Sequence, residues 1–289
     1  MGRKSIFLIM NTLFEAIEKK YPHYADKMAA RFEKANGMPL TWENLTKARL
    51  YAFVQQLREE VADSTARTHC KMLKSVLNLY SDVKPITRDM TEILSVRGDS
   101  SVSIYLENRE IDKLIKFKAR NQLQDVVRNQ FVVGCLTGAR RSDYLGFTKA
   151  NIMGKSLVYV SQKTKIKTEL PVAPAVKRIL SGGKMRLTSG ETIRLPLFND
   201  MLRHVCRMVG IRDEVMVYHA GKTITGEKWR FVTSHTARRS FATNLYGQTG
   251  NIMLVSRMMG HTNIKQTEGY ILNYFGNEPD VDRYFNHFK

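Results

Sequence analysis

Four short stretches of the 289-residue chain concentrate side chains that grip anions, move protons or attack electrophiles: TGARRSD at 137–143, QKTKIKTELPV at 162–172, SHTARRSFAT at 234–243 and MGHTNIKQTEGY at 259–270. The guanidinium of Arg140 can hold two oxygens of one phosphate, which a point-like ammonium does less well. In the second stretch Lys163, Lys165 and Lys167 share a polar turn, where an ammonium can protonate a departing oxygen. His235 and Arg238, three residues apart at a helix start, face the same way and can converge on one anion. Tyr270 lies nine residues beyond His261. A phenol with a free pKa of about 10 attacks at neutral pH only if positive charge or a base assists it. Singly, each stretch has an ordinary structural explanation: a helix-capping turn, a solvated basic turn, a packed histidine, a core tyrosine.

The elements that must position them are mostly helical. Apolar residues recur at helical spacing through residues 5–80, as in Leu50, Phe53, Val54 and Leu57, then Met72, Val76, Leu77 and Tyr80. Helices are expected around Ile6–Glu18, from Tyr24 to Lys34, from about Asn44 to Val61 and after Ser64, with a break at Gly37-Met38-Pro39. Residues 84–103 lose the period. In the second half a helix opens at 106–110 and another runs through Val126–Leu136. Leu157–Ser161 and Thr168–Val172 alternate like a hairpin around the lysine-rich turn, and helices are expected to dominate from about Ala175 onward. The expected fold is therefore mainly α with a small β-hairpin, in two domains. A helical domain spans 1–90, a linker 91–105, and a mixed α+β domain 106–289.

Composition narrows the function. Lys and Arg number 46 against 27 Asp and Glu, a formal charge of +19. That is too basic for an ordinary small-molecule enzyme and points to a nucleic acid or an anionic membrane surface. The excess is +4 over residues 1–100 and +15 over 101–289, dispersed rather than gathered on one amphipathic helix, which disfavours the membrane. No apolar run approaches the roughly 20 residues of a bilayer span, so a cytoplasmic protein is expected. Cys70, Cys135 and Cys206 are odd in number and far apart, and read as reduced packing residues. No His, Cys or carboxylate spacing suggests a metal site.

Together the four stretches resemble the catalytic domain of the tyrosine recombinase (phage integrase) family, in its order and spacing. The resemblance is strong over about 106–275 and only architectural over 1–90. It implies a metal-independent, cofactor-free enzyme that cleaves and rejoins DNA through a 3′-phosphotyrosyl link. Arg140, His235, Arg238 and His261 would surround the phosphate and Tyr270 would be the nucleophile. Lys163 would be the general acid, with Lys165 or Lys167 able to take that role instead. Asp143 stands where the family usually carries Glu, as a supporting residue. Arg141, Lys165, Lys167 and Arg239 are candidate DNA contacts, and Arg239 stands where many members have His.

The implied partners are double-stranded DNA with paired sites, further copies of the chain in a tetrameric synapse, and accessory DNA-bending proteins; the implied setting is a phage, a mobile element or invertible or resolvable DNA. The tail places Val281, Tyr284, Phe285 and Phe288 on one stripe of a short C-terminal helix, packing on its own domain or on a neighbour. Two other functions fit the same residues: a type IB-like topoisomerase and a noncatalytic DNA-binding relative.

Overall fold

The computed structural model describes residues 12–96, 103–219 and 222–271. The chain divides into two compact units, one of residues 1–101 with 218–223, the other of 102–217 with 224–289.

In the first unit α1 (Leu13–Lys20), α2 (Ala25–Asn36), α3 (Lys47–Glu60), α4 (Asp63–Leu79) and the short α5 (Arg88–Ile93) enclose one core. Thr12 caps α1: its hydroxyl accepts from the Glu15 amide while the Glu15 carboxylate accepts from the Thr12 amide; residues 6–11 of the helix expected at Ile6–Glu18 lie outside the described residues. Gly37, at φ 68°, ends α2. The helix α5 falls in the stretch expected to be irregular. Six residues are too few to show a helical period, and it is set by the Thr87 cap and the buried Met90.

The second unit is built on α7 (Gln122–Thr137), whose Val126, Val127, Phe131, Val132 and Val133 are all buried. Around it pack α6 (Asn108–Lys116), α8 (Arg141–Tyr144), α9 (Pro174–Ser181), α10 (Leu195–Met208) and α11 (Ser234–Thr249). The last described helices are α12 (Ile252–Met258) and α13 (Ile264–Glu268). An antiparallel sheet runs β1 (Ile152–Met153), β2 (Ser156–Val160), β3 (Lys167–Pro171), with Tyr159 opposite Thr168 and Val160 opposite Lys167. These strands begin and end one residue earlier than the alternation suggests.

Helices make up most of the described residues after Ala175, as expected, with two interruptions. Residues 185–194 are mostly irregular, and β4 (Glu214–His219) and β5 (Lys222–Glu227) form a second, two-stranded sheet. Its signal is weak because Lys222–Thr225 are all exposed, so no apolar alternation marks β5. The C-terminal helix expected from Val281, Tyr284, Phe285 and Phe288 lies outside the described residues. The three cysteines are free and buried. Among the described residues no helix is long and apolar enough to cross a membrane.

The crossing of α7 and α11 brings the two arginine-bearing stretches together, and it depends on small residues. A Cβ on Gly134 would sit 3.0 Å from the Ala237 Cβ and 2.9 Å from the Tyr144 ring. Gly138 ends α7 at φ 64°, where a Cβ would lie 2.4 Å from the Phe241 ring. Gly138→Ala should therefore lose about 2–5 kcal/mol, the sum of a left-handed backbone and an overpacked core. Urea denaturation checks this; a loss under about 0.5 kcal/mol would show that the crossing does not need the glycine.

Candidate active site

Arg238 is the centre of the site. It lies one turn into α11, whose start is fixed by Thr233 and Thr236 in a reciprocal cap, with the Ser234 amide held by Asn199 Oδ1 at 2.9 Å. Only 2% of the residue is exposed. One terminal nitrogen donates to the Gly138 carbonyl, the other to the Met259 carbonyl at 3.0 Å. These oxygens close the C-terminal ends of α7 and α12, where the helix dipole is negative. Among the described residues no carboxylate pairs with it, and its Nε has no hydrogen-bond partner. Burial and the neighbouring Arg140 both disfavour its charged form.

His261 follows Gly260, whose φ of 62° makes the sharp turn after α12 and whose missing Cβ would come 2.8 Å from Thr168 Oγ1. Arg238 also donates to His261 Nε2. A guanidinium can only donate, so Nε2 accepts, the ring proton is on Nδ1, and Nδ1 donates to Thr267 Oγ1 at 2.9 Å. Tyr270 comes just after α13, its amide bonded to the Thr267 carbonyl at 2.9 Å and its own carbonyl accepting from Thr243 Oγ1 at 3.3 Å. Its ring lies 5.1 Å from that of His235, 5.4 Å from that of His261 and 5.2 Å from the Arg238 guanidinium carbon.

Arg140 caps α8 and reaches Ser161 Oγ at 3.4 Å. Asp143 is 95% buried; Oδ1 accepts from the Gln162 amide at 2.8 Å and Oδ2 from Ser161 Oγ at 3.2 Å. The carboxylate thus pins the start of the turn between β2 and β3. That turn carries Lys163, Lys165 and, at the head of β3, Lys167, all exposed, so the structure brings the lysine loop beside Arg140 without singling out one ammonium. Lys165 adopts φ 56°, left-handed backbone that closes the four-residue loop.

The two remaining arginines diverge. Arg141 donates to the Ile193 carbonyl at 2.7 Å and stacks on Phe198 at 4.7 Å, so it packs within the unit instead of joining the others. Arg239 is half-buried with Nε unpartnered, and its charge acts on both Tyr270 and His235. It sits four residues after His235 and four before Thr243, both of which touch Tyr270.

Sequence reasoning missed Ser161 and Tyr159. Both lie on the inward parity of β2 with Leu157, which is the signal that could have found them. Burial pushes the Tyr159 phenol up, against Arg238, which favours its charged form. It also missed the Gly138 and Met259 carbonyls, which no side-chain pattern reveals. Among the described residues no three His, Cys, Asp or Glu side chains gather as a metal site requires.

Residues 105–276 match the phage integrase family, and the chain belongs to that family. It is 22% identical over 249 residues to tyrosine recombinase XerD of Oceanobacillus iheyensis, covering 83% of this chain and 82% of that one. Among solved structures it is similar to the Tn1549 transposon integrase in complex with transposon right end DNA, with a TM-score of 0.69 at 15% identity over 96% of this chain and 98% of that one. It is likewise similar to a lambda integrase tetramer bound to a Holliday junction, with a TM-score of 0.63 at 15% identity, covering 93% and 80%. At such identities the structural likeness is one of fold.

Both imidazoles are held neutral. Burial, then Arg239, Arg238 and Arg140, pushes His235 down to about 4, although the residue keeps an exposed edge. Burial, then Arg238 and Arg140, pushes His261 down to about 4. A histidine whose folded pKa lies below the unfolded value of about 6.5 binds fewer protons in the native state, so stability falls as pH drops through the interval between them. Thermal midpoints should therefore decline from about pH 6.5 toward pH 4, and His261→Asn should flatten that decline. An unchanged slope in the variant would mean that His261 is protonated in the folded protein.

Proposed function

We propose that the chain is a site-specific DNA recombinase that cleaves and rejoins strands through Tyr270. The observation that carries this is a buried guanidinium, Arg238, satisfied by carbonyls rather than a carboxylate and set against a tyrosine ring between two imidazoles. Its charge is anchored but not neutralised. An anion completes such a site, and the family supplies the expectation that the anion is a phosphodiester.

In this reading Arg140 and Arg238 hold the nonbridging oxygens, where charge gathers as phosphorus becomes five-coordinate. Tyr270 Oη attacks phosphorus, its proton passing to His235; the bond to the 5′ oxygen breaks, and Lys163 protonates that oxygen. The product is a 3′-phosphotyrosyl link and a free 5′-hydroxyl. A 5′-hydroxyl from a second strand reverses the steps, so the bond's energy is conserved and no nucleotide cofactor is needed. A pKa near 4 makes His235 a weak base in the free protein. Its depressing charges are guanidiniums, and the bound phosphate would offset them and raise its basicity.

The helical first unit would bind DNA together with the second, and exchange would take place between paired sites in a tetramer of this chain in the cytoplasm. The solved lambda integrase tetramer on a Holliday junction supports this assembly by likeness of fold.

A nicked suicide substrate drawn from the native locus tests the reading, since loss of the short fragment that carries the free 5′-hydroxyl traps the covalent adduct. Wild type should form it and Tyr270→Phe should not; an adduct with the phenylalanine variant would remove Tyr270 as nucleophile. Arg140→Ala should slow cleavage about 10²- to 10³-fold, as removal of one preorganised oxyanion donor does, with DNA affinity within a few-fold of wild type. Equal losses in affinity and cleavage would contradict a role in the transition state. Recombinant product from paired sites, rather than relaxation of an unpaired plasmid, separates a recombinase from a topoisomerase.

A further inference from the structure

Ser161 is 98% buried at the junction of β2 and the lysine loop, and every polar atom it carries is used. Its amide donates to the Ile166 carbonyl at 2.9 Å and its carbonyl accepts from the Lys165 amide at 2.8 Å, which closes the loop. Its hydroxyl donates to Asp143 Oδ2 at 3.2 Å and accepts from Arg140 Nη1 at 3.4 Å. The direction is fixed, because an ionised carboxylate can only accept and a guanidinium can only donate. Among the described residues no ion pair joins Arg140 to Asp143 directly. The hydroxyl stands between them.

That arrangement solves a conflict in the site. An arginine paired with a buried carboxylate would be well oriented, but much of its charge would be spent on that partner. A hydroxyl relay transmits the orientation and leaves the positive charge available.

We propose that Ser161 is a positioning residue for strand cleavage: its hydroxyl aims Arg140 at the phosphodiester without neutralising it, and its backbone fixes the loop that bears Lys163. The inference rests on the recombinase reading of the site. It assigns to Ser161 a role exerted through Arg140, so its loss must matter most where the charge of Arg140 is needed.

The test is single-turnover cleavage at saturating suicide DNA by wild type, Ser161→Ala and Ser161→Thr, with thermal melts of each. Ser161→Ala should cleave about 10- to 100-fold more slowly, the effect of losing a hydrogen bond to a charged group, at nearly unchanged DNA affinity. Ser161→Thr, which keeps the hydroxyl, should recover most of that rate. A second substrate carries a methylphosphonate at the scissile position, where a methyl group replaces one charged nonbridging oxygen. On it the deficit of Ser161→Ala should shrink to within a few-fold, because less charge needs compensation. The same deficit on both substrates, or an alanine variant that cleaves like wild type, overturns the proposal while the recombinase reading stands. Absence of an adduct from wild type on the phosphodiester substrate would overturn the recombinase reading and this proposal with it.

Discussion

The second unit is organised around one buried cation held by the ends of two helices. A guanidinium removed from water costs several kcal/mol unless hydrogen bonds replace hydration, and Arg238 obtains those bonds from the terminal carbonyls of α7 and α12. Both carbonyls must be aimed inward. At α7 this needs Gly138 in left-handed conformation close under Phe241, and at α12 the chain turns at once through Gly260. The same bond network delivers His261 to Arg238 and, through Thr267, sets the start of the Tyr270 segment. Four stretches scattered over more than 130 residues of sequence thereby share one centre.

The electrostatics follow from the absence, among the described residues, of a carboxylate paired with Arg238. Burial and Arg140 disfavour the charge of Arg238, and burial, with Arg239, Arg238 and Arg140, holds the imidazole of His235 neutral at physiological pH. The site is therefore strained in charge. In the proposed reading a single anion would offset the mutual repulsion of the guanidiniums, raise the basicity of the imidazoles, and be held most tightly when its own charge grows. That last property is what distinguishes stabilising a transition state from merely holding a substrate. The carboxylate that is present, Asp143, is kept one hydroxyl away from Arg140 and spent on loop geometry.

Much of this was legible in the sequence, and the failures have physical causes. Helices α2, α3, α4 and α7 show apolar periodicity over three turns or more, and the structure has them close to where that periodicity places them. The hairpin of β2 and β3 is legible because one face is buried. Helix α5 and strand β5 are not, since a six-residue helix shows no period and an exposed strand shows no alternation. In the site, the side chains with strong chemistry are visible by type and spacing. Ser161, Tyr159 and the two helix-end carbonyls are not, because their contribution depends on tertiary placement of groups that every protein contains.

Adjacent arginines show why charge alone is a poor guide to a binding surface. Arg140 and Arg141 are neighbours, yet one faces the site and the other is folded onto Phe198 and the Ile193 carbonyl. Arg238 and Arg239 are neighbours too, and both turn toward Tyr270, one fully buried and tied to backbone, the other half-buried and carrying an unpartnered nitrogen. Consecutive residues at a helix start diverge by about 100° and usually part. They reconverge on Tyr270 because its ring packs beside α11, reached by His235, Arg238, Arg239 and Thr243 from one continuous face. The +19 charge of the chain is thus divided: some cations are consumed in packing and ion pairs, a few converge around Tyr270, and in the proposed reading others would make salt-sensitive contacts with the DNA backbone.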